Sequence, residues 1–189
     1  MKILLIDNGT KLLKKLEVLI PGVEVVKKFG NINPWDTDEY DLIVLSGSVG
    51  FSVLYNHNKF QKEINLIKSS TKPIIGMCFG CELVAYAFGG ELKELSYRDK
   101  GIREIHIIDR KLFKKKTIKV YEGHRWVVSK LPPHFKVIAK SDEGIEAIKH
   151  ETLPIYGFQF HPENFVDEAE GDELFLQLLS SFKKSSIMN

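Results

Sequence analysis

"KPIIGMCFGCELVAYAFGG", residues 72–90, decides the fold. An apolar run over 73–77 is followed by Cys78, with Gly76 two residues before the cysteine and Gly80 two residues after it. From 80 to 88 the apolar residues take helical spacing. A strand, a sharp turn and a helix in that order make the core of a βα unit. Gly-x-Cys-x-Gly in such a turn is the cysteine form of a nucleophile elbow, where a side chain on either flank would crowd the strained backbone. The helix N-terminus behind the sulfur carries partial positive charge and favours a thiolate. Cys81, three residues after Cys78, raises a second reading, a Cys-x-x-Cys redox pair. That reading explains the strand-to-helix position but not the flanking glycines. Cys81 is expected to fill the core.

Upstream, the same unit repeats. Residues 2–6 read as a buried strand closed by Asp7-Asn8-Gly9. Residues 10–20 carry Leu12, Leu13, Leu16, Leu19 and Ile20 at helical spacing, and Pro21-Gly22 stops them. A strand over 23–27, a loop over 30–38 containing Asn33-Pro34, a strand over 41–45 closed by Ser46-Gly47-Ser48, and a helix over 59–69 follow. Continuous apolar strands alternating with helices predict a parallel sheet covered on both faces. Ligands then bind beyond the carboxyl ends of the strands. The turns at 7–9, 46–48 and 76–80 all lie there. The backbone N–H of Phe79, with one from the Gly47-Ser48 turn, would face a developing oxyanion.

Downstream of about residue 91 the rhythm changes. Short strand-like runs over 102–108, 117–121, 125–129, 135–139, 144–149 and 155–160 have no long helix between them. They are expected to form antiparallel additions and the last strands of the main sheet. A final helix is expected near 171–182, with Leu174, Phe175, Leu178, Leu179 and Phe182 on one face. No linker or repeat interrupts the chain, so residues 1–189 are read as a single α/β domain.

A cysteine nucleophile needs a base. In "PIYGFQFHPE", 154–163, His161 and Glu163 are two apart on an expected strand, hence on the same side, and Pro162 stiffens the spacing. This is a base with an orienting carboxylate, as in a Cys-His-Glu triad. His57, His106, His134 and His150 are expected at the solvated surface. Cys78, His161 and Glu163 have no further ligands clustered with them in the sequence, so no metal is expected.

The 189 residues, 43% apolar and 28% charged, suit a globular chain, and a net charge of +2 argues against a nucleic-acid partner. The run Lys114-Lys115-Lys116 is short and reads as a solvated loop. MKILLID has no basic n-region beyond Lys2, and no apolar stretch approaches the roughly 18 residues of a membrane span. The expectation is a cytoplasmic chain with reduced thiols, no membrane partner and no cofactor.

The elbow together with a late Phe-His-Pro-Glu resembles the class I (triad) glutamine amidotransferases, and within them the amidotransferase subunit of archaeal two-subunit GMP synthetases. "IDNG" at 6–9, "PIIGMCFGCELVAYAFGGEL" at 73–92, "YEGHRWVVSKLPPHFKVIAKSDEGIEAIKH" at 121–150 and "LPIYGFQFHPE" at 153–163 carry it. The resemblance spans about residues 1–183. It implies a three-layer, flavodoxin-like fold with a central, mostly parallel sheet. It also implies hydrolysis of the glutamine side-chain amide through a γ-glutamyl thioester, with ammonia passed to a synthetase partner in purine biosynthesis. Carried over by motif, Cys78 is the nucleophile, His161 the base and Glu163 its orienter. Gly47 and Phe79 supply oxyanion N–H groups, and Ser48, Glu82, Gly123 and His124 border the substrate. Four stretches differ from the family's usual pattern. Glu82 stands for a glutamine, Ser46-Gly47-Ser48-Val49 for Ser-Gly-Gly-Pro, Gly123-His124-Arg125-Trp126 for Ser-His-x-Asp, and Thr10-Lys11 for Gly-Gln. The residues leave open a stand-alone γ-glutamyl hydrolase with the same triad, and a non-catalytic relative that binds or regulates.

Overall fold

The computed structural model describes residues 1–33, 37–164 and 167–187, the side chains of 184–187 excepted. Pro34, in the loop expected over 30–38, lies outside the described residues.

Strand β1 (Ile3–Asp7) shows why the first half folds as it does. Ile3 and Leu5 enter one apolar core, Leu4 and Ile6 the other, and all four are buried. Period-two side chains that are apolar on both faces can only be satisfied between two layers of helices. β2 (Val23–Lys28) and β3 (Leu42–Leu45) flank β1, and β4 (Ile74–Met77) lies beyond β3, all in parallel. Helices α1 (Leu13–Leu19) and α5 (Gly171–Ile187) supply one outer layer through Leu16, Leu19, Leu174, Phe175 and Leu178. Helices α3 (Gln61–Ser69) and α4 (Phe79–Ala87) supply the other through Ile64, Ile67, Leu83 and Val84, with the four-residue α2 (Val53–Asn56) beside them. Each such aliphatic side chain contributes about 1.5–3 kcal/mol when fully buried.

Helix α1 is shorter than the apolar spacing over 10–20 predicts. Asp7 Oδ1 accepts the N–H groups of Gly9 (2.9 Å) and Thr10 (3.1 Å), and Thr10 Oγ1 accepts that of Leu12 (3.1 Å). These side-chain turns use up the backbone donors that a helix would otherwise carry through 10–12.

The second half is β5 (Glu91–Ile107), β6 (Thr117–Lys130), β7 (Phe135–Lys140), β8 (Ile145–His150) and β9 (Ile155–Phe158). The strand order is β2-β1-β3-β4-β9-β8-β6-β5-β7, with β7 also pairing β8. β9 joins β4 in parallel, and the remaining ladders are antiparallel. The sheet is therefore mixed rather than mostly parallel. The expected antiparallel additions are more than an edge, since β8, β6, β5 and β7 close on themselves. The runs expected at 117–121 and 125–129 are one strand, β6, continuous through the buried Glu122 and His124. The whole of 91–101 is strand as well. The Lys114–Lys116 run lies between β5 and β6, and Lys115 pairs with Glu170. No helix among the described residues is long and apolar enough to cross a membrane.

Candidate active site

Cys78 stands between β4 and α4 with φ 49° and ψ −109°, a left-handed conformation for a residue with a side chain. The flanking glycines make this possible. A Cβ on Gly76 would lie 2.3 Å from the Gly80 carbonyl oxygen, and one on Gly80 would lie 2.5 Å from that of Leu45. The turn thus presses backbone against backbone, and no methyl group fits. The Cys78 N–H donates to the Phe158 carbonyl of β9 (2.7 Å), and its own carbonyl accepts from Glu82 N–H (3.0 Å) as α4 begins.

His161 approaches the sulfur from beyond β9. Its ring lies beside the Cys78 side chain, both facing Gly47, and its Nδ1 lies 2.9 Å from Glu163 Oε1, which is fully buried. The expected proximity of His161 and Glu163 is present, but its cause differs. β9 ends at Phe158, and the pair meets in a turn rather than along a strand. The His161 N–H donates to Tyr121 of β6 (2.9 Å), and its carbonyl accepts from Asn164 (3.1 Å), which fixes that turn. Burial pushes the Cys78 thiol up, while His161 pulls it down. For His161, burial works to lower the pKa, but the Cys78 sulfur and the Glu163 carboxylate outweigh it and hold the imidazole well above its ordinary value. The pair is electrostatically coupled across one proton.

Gly47 packs against both groups. A Cβ there would stand 3.3 Å from the His161 ring and 3.9 Å from the Cys78 sulfur. Its turn is held by a buried polar chain. Ser46 Oγ accepts from Asn8 N–H (2.8 Å) and donates to the Gly47 carbonyl (2.9 Å). Asn8 Nδ2 donates to the Ser46 carbonyl (3.1 Å) and to Glu63 Oε1 of α3 (3.0 Å). Burial pushes the Glu63 carboxyl up to about 8, against the pull of the Asn8 bond. Sequence reasoning placed the 7–9 turn at the ligand-binding end but missed Glu63, which looks like any helix glutamate until α3 packs.

A cleft of about 420 Å³ opens over Cys78 and is lined by Ser48, Phe79, Glu82, Gly123, His124 and Trp126 among others. All four residues predicted to border the substrate therefore meet here. Tyr55 crosses Trp126 edge-on at its mouth, 5.5 Å between ring centroids. Glu82 is buried, with Gln159 Nε2 donating to its Oε1 at 3.1 Å. Burial pushes its carboxyl up to about 7, opposed by that bond and by His124 and His161. Gly123 backs onto His161, since a Cβ there would be 3.1 Å from His161 Nε2. His124 borders the cleft, but its side chain is turned inward, with Nε2 3.0 Å from Glu122 Oε2. Cys81 faces away from the cleft. Its sulfur fills the space over Gly157, where a Cβ would come within 2.6 Å, and burial raises its thiol well above the ordinary value. Both cysteines are free thiols.

Sequence reasoning also missed the grouping of Glu122, His124 and Glu146. Their ligand atoms lie within 4.8 Å of one another, all buried. The i, i+2 spacing of Glu122 and His124 was a visible signal; the arrival of Glu146 from β8 was not.

A model of the "Glutamine amidotransferase class-I" family matches residues 4–180. The glutamine-hydrolyzing GMP synthase subunit of Pyrococcus furiosus is 37% identical over 169 residues, covering 85% of this chain and 88% of that one. The protein of the same name from Methanocaldococcus jannaschii is 30% identical over 170 residues, covering 85% and 87%. A solved Thermoplasma acidophilum chain has a TM-score of 0.87 at 24% identity, covering 100% of this chain and 96% of that one, which is a likeness of fold. A solved Thermotoga maritima glutamine amidotransferase gives 0.71 at 16% identity, covering 98% and 83%. With the family model spanning nearly its whole length, the chain belongs to the class I glutamine amidotransferase family.

Proposed function

We propose that the chain hydrolyses the side-chain amide of glutamine through a Cys78 thioester and delivers the ammonia to a synthetase partner, the other subunit of a GMP synthase. The observation that carries this is Cys78 in its strained turn, beside an imidazole that Glu163 holds at 2.9 Å. In this reading the Cys78 sulfur attacks the amide carbon as its proton passes to His161. Glu163 keeps Nδ1 as a donor and stabilises the imidazolium. The N–H groups of Gly47 and Phe79 take the developing oxyanion. His161 then protonates the leaving nitrogen, ammonia departs, and a water activated by His161 cleaves the thioester to glutamate. Ser48, Glu82 and Gly123 border the substrate, with His124 behind the wall. The chain acts as a single domain, in the cytoplasm, with no cofactor of its own.

A stand-alone γ-glutamyl hydrolase is a second reading, favoured by one observation: Glu82 puts a carboxyl in the cleft. That group can pair with the α-ammonium of any γ-glutamyl compound. Ammonia release from glutamine, with and without the partner subunit of a GMP synthase, tests the proposal. The expected result is stimulation by that partner, with transfer of the nitrogen to its product. Turnover of a γ-glutamyl anilide without any glutaminase activity would instead establish the second reading.

A further inference from the structure

β6 has two faces where it passes the triad. Gly123 backs onto the His161 ring, while its neighbours Glu122 and His124 point the other way, into the protein. There they meet Glu146 of β8. The exposures are 1% for Glu122, 3% for His124 and 1% for Glu146. Ser141 Oγ donates to Glu146 Oε1 at 2.6 Å. Both oxygens of Glu122, both ring nitrogens of His124 and the second oxygen of Glu146 have no hydrogen-bond partner. The 3.0 Å approach of His124 Nε2 to Glu122 does not have hydrogen-bond geometry. Five buried polar atoms thus converge with no hydrogen bond made to any of them. Each such atom left unsatisfied in a protein interior is costly.

We propose that Glu122, His124 and Glu146 form a binding site for one divalent transition-metal ion, which ties β6 to β8 directly behind the wall of the candidate active site. One imidazole and two carboxylates suit Zn²⁺ or Mn²⁺. Two carboxylates and a neutral imidazole carry two negative charges, which a divalent cation cancels. Metal–ligand bonds of about 2.0–2.2 Å place donor atoms at most ~4.4 Å apart. The ligand atoms, all within 4.8 Å of one another, lie slightly wider than that, so an ion would draw the three side chains together. The competing occupant is the proton. Burial pushes the Glu122 and Glu146 carboxyls up to about 8, and the two can share a hydrogen bond only if one of them is protonated. The ion takes no part in the amide chemistry. Its role is to hold Tyr121 and Gly123, which position His161.

The test is metal uptake by the chelator-stripped full chain, with Zn²⁺ as the probe, read by calorimetry, metal analysis and thermal unfolding. About one Zn²⁺ per chain is expected in both the wild type and Cys78→Ser, with a Tm rise of several degrees. Glu122→Gln and Glu146→Gln are each expected to weaken uptake at least tenfold. Absence of uptake at micromolar free Zn²⁺, uptake lost in Cys78→Ser, or uptake unchanged in both glutamine variants would each overturn the proposal. Should a variant fold poorly, Co²⁺ bound to the wild type decides. Visible ligand-field bands without thiolate charge transfer support the oxygen and nitrogen donors. A thiolate band, or no bands, refutes them. None of these readouts uses glutamine, so the proposed glutaminase activity and the metal site stand or fall separately.

Discussion

At the scale of single residues, the two cysteines separate cleanly. Cys78 touches His161 and Gly47, whereas Cys81 is packed over Gly157 with its thiol held protonated by burial. Cys78→Ala is expected to lower ammonia release from glutamine by at least about a thousandfold, and Cys81→Ala to keep most of it. Equal loss in both, with both folded, would contradict the proposed nucleophile. Glu82 offers a finer test. A charge-assisted bond from its carboxylate to the substrate's α-ammonium is worth about 1.5–3 kcal/mol, a change of roughly ten to a hundredfold in affinity. Glu82→Ala should therefore raise KM by that factor with a much smaller change in kcat, and Glu82→Gln should act mildly. With its carboxyl pushed up to about 7, Glu82 is charged above that pH and neutral below it. KM for the wild type should accordingly rise as the pH falls through 7, and Glu82→Gln should remove that dependence. An unchanged KM in Glu82→Ala would leave the residue a structural partner of Gln159.

At the scale of elements, the β4–α4 turn has no room for a side chain at either glycine. Gly76→Ala sets a methyl 2.3 Å from a backbone carbonyl oxygen that cannot rotate away. Overpacking of this kind costs about 1–3 kcal/mol or more. The expected outcome is a lower Tm by several degrees together with loss of glutaminase activity, measured on the same preparation. The elements also show what could be read from the sequence and what could not. β1, β3 and β4 were legible because burial on both faces makes each a continuous apolar run. The elbow was legible because its two glycines are forced by backbone contact. β5 was legible only in its last third. From Glu91 to Lys100 its one fully buried residue is Asp99, so no apolar alternation marks it. β6 was read as two strands because its middle turns Glu122 and His124 inward, and buried polar residues look like a loop. His161 and Glu163 were paired correctly through their spacing, though a turn rather than a strand brings them together.

At the scale of the whole molecule, the Asn8–Ser46–Glu63 chain couples the ends of β1 and β3 to α3, and it carries a pH dependence. Glu63 has an ordinary carboxyl pKa of 4.5 when unfolded and is pushed up to about 8 by burial when folded. Between those values the folded state holds a proton that the unfolded state has lost, so stability falls as the pH rises. The penalty is fully developed above about 8 and absent below about 4.5, with a size on the order of a few kcal/mol. Glu63→Gln should thus flatten the decline in Tm between pH 5 and pH 8 and stabilise the protein at pH 8; a wild-type slope kept intact by the variant would contradict this. The strand order has a consequence for synthesis. β4 pairs with β9, whose residues leave the ribosome long after those of β4. A nascent chain complete only through α4 has β4 as an open edge, a site for pairing with the wrong partner. Its Cys78 also has neither the Phe158 carbonyl nor His161 beside it. On the proposed reading the thiol therefore stays unactivated until β9 docks, and the closing of the β4 edge and the meeting of Cys78 with His161 are one event.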